Sequence, residues 1–212
     1  AQEDEYVIVD NGCAIHRTSD WKVIDSVALD KQDIHYLYSL TQNSSIQLTL
    51  FDEEHYFVVG ETPSPIVVRD TGYVFTSPTE ISLEEAVSGK YTMFQAMFLA
   101  EKETVDFFEE KYASDICQRF SGVRSQDVIY EVMPAGVTKA FALEKLAQKL
   151  NIKVEEIMAL GDANNDLEML KFAGLGIAMG NASDYVKSLA DDVTESNDEN
   201  GVAKAIEKYL LN

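Results

Sequence analysis

Residues 157–166 read Ile157-Met158-Ala159-Leu160-Gly161-Asp162-Ala163-Asn164-Asn165-Asp166. A short apolar run ending in glycine and two aspartates is the pattern of a buried strand passing into a turn. Asp162 and Asp166 stand four positions apart where that turn enters the next helix. Both carboxylates can therefore point into one crevice, beside helix N-terminal amides. Hard cations such as Mg²⁺ take one or two carboxylates together with waters and substrate phosphate. The same residues also make an ordinary Asp/Asn helix cap, and the spacing alone leaves both readings open.

Outward from this stretch the pattern alternates. Val128–Val132 reads as a strand, and Pro134-Ala135-Gly136 as a turn. Thr138 can cap a helix whose Ala142, Leu143, Leu146, Ala147 and Leu150 form an apolar stripe. Leu167–Ala173 reads as a helix that Gly174 can end. Leu175–Met179 and Asp192–Thr194 read as strands, with helices over Ala182–Leu189 and Gly201–Leu211. Such βα alternation predicts an α/β layer with a parallel sheet, whose ligands sit beyond the carboxyl ends of the strands. Lys139 opens the first of these helices. A lysine there opposes the helix dipole, which a nearby anion or carboxylate would explain; a solvent-facing lysine is the plainer reading.

The chain before this is more mixed. Tyr6–Val9 reads as a strand closed by Asn11-Gly12. Helical spacing covers Asp33–Leu40 and Glu103–Tyr112. Ile46–Phe51 and Tyr56–Val59 flank Asp52-Glu53-Glu54 as a hairpin would. Ile66–Val68, Tyr73–Phe75 and Tyr91–Leu99 read as further strands, and Asp115–Phe120 is ambiguous.

Composition narrows the function classes. The chain has 212 residues, 46% hydrophobic, with 17 basic against 37 acidic side chains and a net charge of −20. That surface repels nucleic-acid backbones and anionic lipid, so neither is an expected partner. Cys13 and Cys117 form no disulfide framework or zinc spacing. With an acidic opening unlike a signal peptide and no apolar run of membrane-spanning length, a cytoplasmic protein is expected.

Three runs carry a resemblance: Pro134-Ala135-Gly136-Val137-Thr138-Lys139, Gly161-Asp162-Ala163-Asn164-Asn165-Asp166-Leu167-Glu168-Met169-Leu170, and Ala173-Gly174-Leu175-Gly176-Ile177-Ala178-Met179-Gly180-Asn181-Ala182. Continued through Ala190–Thr194 and Asn200–Ala203, they resemble the Cof-type phosphatases of the haloacid dehalogenase (HAD) superfamily over about 80 C-terminal residues. Tyr6–Ala14 is similar to the family's strand ending in Asn-Gly-Ala, with Cys13 interposed. The resemblance implies a Rossmann-like HAD core with an inserted α/β cap: a core segment over 1–20, the cap over 21–126, and the C-terminal part of the core over 127–212. It further implies Mg²⁺ on Asp162 and Asp166, with Asp166 supporting the metal or orienting Lys139. Lys139 would hold the transferring phosphoryl group, while Asn165 and Asn11 would contact the substrate. The substrate would be a small phosphorylated metabolite such as a sugar phosphate, nucleotide or cofactor phosphate.

The family's D-x-D-G-T motif, which carries the aspartate nucleophile, does not occur in these 212 residues. Val7-Ile8-Val9-Asp10-Asn11-Gly12 offers one aspartate and no second acid, and matches the later Asn-Gly strand better, so Asp10 is rejected as the nucleophile. The expectation is a chain lacking the family's first strands, inactive alone, its sheet completed by the missing N-terminal segment or a second copy. A non-catalytic phosphate- or metal-binding remnant of the same fold is the alternative. Cys13 reads as a small buried thiol, and His16, His35 and His55 as surface or cap residues. Glu131 reads either as reaching the crevice or as packing.

Overall fold

In the computed structural model, residues 5–211 are described. The chain divides into two compact units, Ala1–Val137 and Thr138–Asn212.

The first unit opens with strands β1 (Tyr6–Val9), β2 (Ala14–Arg17) and β3 (Lys22–Ser26), which form a three-stranded antiparallel sheet in that order. Between β1 and β2 the backbone turns through Asp10, Asn11 and Gly12, all at positive φ (51°, 53° and 104°). Helix α1 (Lys31–Ser39) follows, capped by Asp30, whose carboxylate accepts from the amides of Gln32 and Asp33. Then come β4 (Gln47–Phe51), β5 (Tyr56–Val59), α2 (Pro65–Tyr73), β6 (Pro78–Ile81), α3 (Leu83–Ala86), β7 (Gln95–Leu99), α4 (Lys102–Ile116), β8 (Phe120–Gln126) and β9 (Ile129–Pro134).

Six of these strands form one sheet in the order β6-β5-β4-β7-β9-β8, antiparallel except for the parallel pair β5–β6. Alternate residues feed opposite faces. Leu48, Leu50, Phe57, Phe98 and Tyr130 pack with Ile34 and Leu37 of α1 and with Val105 and Phe108 of α4. Tyr56, Val58, Met97, Leu99 and Ile129 pack with Val67 of α2. Two buried faces explain why β4, β5, β7 and β9 are apolar nearly throughout; each fully buried large side chain contributes roughly 2 kcal/mol.

Three local expectations differ from this structure. Ile66–Val68 is helical, because Ser64 accepts from the Val67 amide and Pro65 occupies the first helical position. The Tyr73–Phe75 stretch ends that helix and turns, with Phe75 at φ 56°. The strand expected over Val128–Val132 is β9, but it pairs antiparallel with β7 and β8 and takes no part in a parallel layer.

The second unit is built of βα alternation. Helix α5 (Lys139–Leu150) is capped by Thr138, whose hydroxyl oxygen accepts from the Phe141 amide at 3.2 Å. Strand β10 (Met158–Gly161), helix α6 (Leu167–Phe172), strand β11 (Leu175–Ala178), helix α7 (Asp184–Ser188), strand β12 (Asp192–Val193) and helix α8 (Gly201–Leu210) complete it. The three strands are parallel in the order β10-β11-β12, with Met158 opposite Leu175 and Ile177 opposite Asp192. Its core is made of small side chains, Ala159, Ala173, Ala178 and Ala182, around Leu170 and Val186. Parallel strands joined by helices bring their carboxyl ends to one edge, where the loops after β10 and β11 gather. Among the described residues, no helix is long and apolar enough to cross a membrane.

Candidate active site

The loop after β10 carries Asp162, and a single 3₁₀ turn, Asn164–Asp166, leads into α6. Asp166 is buried to 5% exposure, and its two carboxylate oxygens have different partners. Oδ1 accepts from the Lys139 ammonium at 2.5 Å. Oδ2 accepts from the backbone amides of Asp162 and Ala163 at 3.0 and 3.1 Å. The position before Asp162 must be glycine for this to work, since a Cβ on Gly161 would lie 2.5 Å from the Cβ of Asp166.

Lys139, the first residue of α5, is therefore paired with a buried acid, which offsets the unfavourable helix-terminal field. Asp162 is exposed, and its Oδ2 accepts from the side-chain amide of Asn181 at 2.7 Å. Asn181 lies just beyond β11, and its own oxygen accepts from the Asn197 amide at 3.1 Å. The structure thus brings Lys139, Asp162, Asn165 and Asp166 into one neighbourhood of the second unit. It adds Asn181, which the sequence reading gave no role. Asn-after-Gly reads as a turn, and only the pairing of β10 with β11 brings residue 181 beside residue 162.

Asn11 belongs to the first unit, in the left-handed turn after β1, where its side-chain amide donates to Glu131. Burial raises the Asp10 carboxyl to a pKa of about 6; His16 opposes the shift, and Glu131 and Asp52 add to it. Burial also pushes the Cys13 thiol far above the usual range, with Asp10 and Glu131 adding, so it is no nucleophile. His16 is buried and stacks on Trp21, which excludes the surface half of the surface-or-cap expectation for it, whereas His35 is exposed on α1. His55 pairs with Asp52 at 3.0 Å in the turn between β4 and β5.

The donor chemistry in the second unit fits a hard cation through Asp162, an exposed carboxylate with only one oxygen committed. Asp166, with both oxygens committed, fits the orienting role instead. No cluster of three acidic, histidine or cysteine side chains able to hold a metal occurs among the described residues. Protein ligation would therefore be sparse, as is usual where Mg²⁺ keeps waters and substrate phosphate in its shell.

The sequence profile of the haloacid dehalogenase-like hydrolases matches residues 1–206. The chain belongs to that family. It is 30% identical to YxeH of Bacillus subtilis over 210 residues, covering 99% of this chain and 77% of YxeH. Over 81 residues it is 53% identical to the B. subtilis 5-amino-6-(5-phospho-D-ribitylamino)uracil phosphatase YcsE, covering 38% of this chain and 32% of YcsE. Among solved structures it is similar to the HAD phosphatase BT1666 from Bacteroides thetaiotaomicron. That likeness has a TM-score of 0.80 at 34% identity, covering 96% of this chain and 73% of BT1666. The α/β fold is that of the HAD hydrolases, and the enzyme class is that of their phosphatases.

Proposed function

We propose that this chain supplies the metal- and phosphate-holding face of a Mg²⁺-dependent phosphatase acting on small phosphomonoesters. The observation that carries the reading is the Lys139–Asp166 pair beside the exposed Asp162 at the carboxyl edge of the parallel sheet. Lys139 donates to a phosphoryl oxygen and offsets charge as it develops in the transition state. Asp166 holds that ammonium in place and also ties down the amides of Asp162 and Ala163. Asn165 donates to substrate oxygens, and Asn181 orients Asp162. Asp162 is the residue that would hold Mg²⁺, which when bound supplies further positive charge next to the phosphoryl group. Asn11 contacts the substrate, as the family resemblance implies, and the phosphorylated ribityl compound in the name of YcsE supports a sugar, nucleotide or cofactor phosphate.

The carboxylate that attacks phosphorus has to come from outside these 212 residues, since they hold no D-x-D-G-T. A polypeptide carrying that strand is the expected partner for turnover; a second copy of this chain would complete the sheet without supplying that carboxylate. The two free thiols, Cys13 and Cys117, favour the cytoplasm. The same missing motif favours a second reading, a phosphate-binding protein without turnover.

The test is hydrolysis of p-nitrophenyl phosphate with Mg²⁺, by the chain alone and with a polypeptide supplying the D-x-D-G-T strand. Turnover only in the mixture supports the phosphatase. Turnover by the chain alone that survives Asp162→Asn overturns the assignment. Phosphate binding with no turnover in either sample selects the second reading.

A further inference from the structure

Glu131 lies on β9 and is 9% exposed. Backbone pairing with β7 and β8 holds the strand itself, so the carboxylate is not needed to form it. A buried acid is costly unless donors surround it. Here the donors are side chains of two other elements. Oε2 accepts from the side-chain amide of Gln95 on β7 at 2.5 Å, and from the side-chain amide of Asn11, 120 positions away in the chain.

Asn11 sits at the centre of three successive positive-φ residues, two of which are not glycine. Aspartate and asparagine tolerate that region better than most side chains, but such backbone persists only where its surroundings over-determine it. The Cys13 amide closes the turn locally onto the Asp10 carbonyl at 3.1 Å, and Glu131 ties it to the sheet.

We propose that Glu131 is a positioning residue: its buried carboxylate fixes the Asn11 carboxamide and the left-handed 10–12 turn, so that Asn11 meets the phosphomonoester in one orientation. The inference rests on the reading of Asn11 as substrate-binding, and goes beyond it by assigning the group that sets its geometry. Gln95 shares the same oxygen and braces the carboxylate from the neighbouring strand.

The test compares wild type with E131A, E131Q, N11A and the E131A/N11A double variant, by two readouts. The first is exchange of the Asn11 side-chain amide hydrogens by NMR. E131A accelerates it by about tenfold, the scale of one lost hydrogen bond, while E131Q, which keeps an acceptor oxygen, stays near wild type. The second is the affinity for inorganic phosphate with Mg²⁺ present. E131A and N11A each weaken it by about tenfold, the double variant no further, and E131Q retains it to within about threefold. If E131A does not fold, E131D takes its place, since it withdraws the carboxylate by one methylene. Unchanged Asn11 exchange in E131A overturns the proposal, as does weakened phosphate binding in N11A but not in E131A. If wild type binds no phosphate, the substrate-binding reading of Asn11 falls, and amide exchange alone decides whether Glu131 positions it.

Discussion

The ammonium of Lys139 lies 2.5 Å from Oδ1 of Asp166, across 27 positions of sequence, and the second oxygen of the same carboxylate is held by two backbone amides. One buried acid thereby fixes the cation at the start of α5 and shapes the loop that carries Asp162. Replacing Lys139 by Met leaves Asp166 with its amides but without its cation. Because Lys139 is about a third exposed, the loss of stability is expected at about 1–3 kcal/mol, less than for a fully buried pair. Urea denaturation of K139M checks it, and D166N/K139M should lose less than the sum of the two single variants.

Gly161→Ala places a methyl group against the Asp166 side chain at a distance that atoms do not tolerate. The carboxylate must move, and the expected cost is roughly 1–3 kcal/mol of stability, with weaker Mg²⁺ binding if the Asp162 loop shifts with it. Thermal denaturation and a Mg²⁺ titration of the same variant measure both effects.

Asn181→Ala removes the donor that orients Asp162. Partners of ligating groups typically govern affinity by about 10- to 100-fold, so Mg²⁺ binding should weaken within that range. The exposed setting of the pair predicts little change in stability, within about 0.5 kcal/mol. Calorimetric titration separates the two.

Asp10 gives a pH dependence with a definite sign. Its carboxyl is raised from 3.8 to about 6 in the folded chain, so the folded state binds more protons than the unfolded one between those values. Stability attributable to this group is therefore greatest below about pH 4 and falls as pH rises through 6, by about 3 kcal/mol in total. Asp10→Asn, whose side chain suits the same left-handed backbone, should remove that slope and stabilise the protein at pH 7.5. Denaturation midpoints of both proteins from pH 4 to 7.5 check the prediction.

Much of the second unit was legible in the sequence because its signals are local. The run ending in Gly161-Asp162 reads as a strand passing into a turn, and Thr138 reads as a cap for the apolar stripe of α5. The first unit was harder. Ile66 and Val68 favour a strand by propensity, but Ser64 and Pro65 impose a helix start. Strand β8 contains Ser121, Gly122, Arg124 and Ser125, too little apolar alternation to announce itself, and only its ladder with β9 makes it a strand. Asn181 and Glu131 could not be matched to their partners for a related reason, although Glu131 itself reads as reaching the crevice or packing. Each acts on a residue that strand pairing or folding brings close, at separations of 19 and 120 positions, and no local pattern encodes such a meeting.

The central claim is that the loop after β10, with Lys139, holds Mg²⁺ and phosphate jointly. The direct measurement is calorimetric titration of the 212-residue chain with inorganic phosphate, with and without Mg²⁺, beside the variants D162N and K139A. Saturable binding that requires Mg²⁺, is lost in D162N and weakens at least about tenfold in K139A, is the predicted result. Phosphate binding that is indifferent to Mg²⁺ and unchanged in both variants would contradict it.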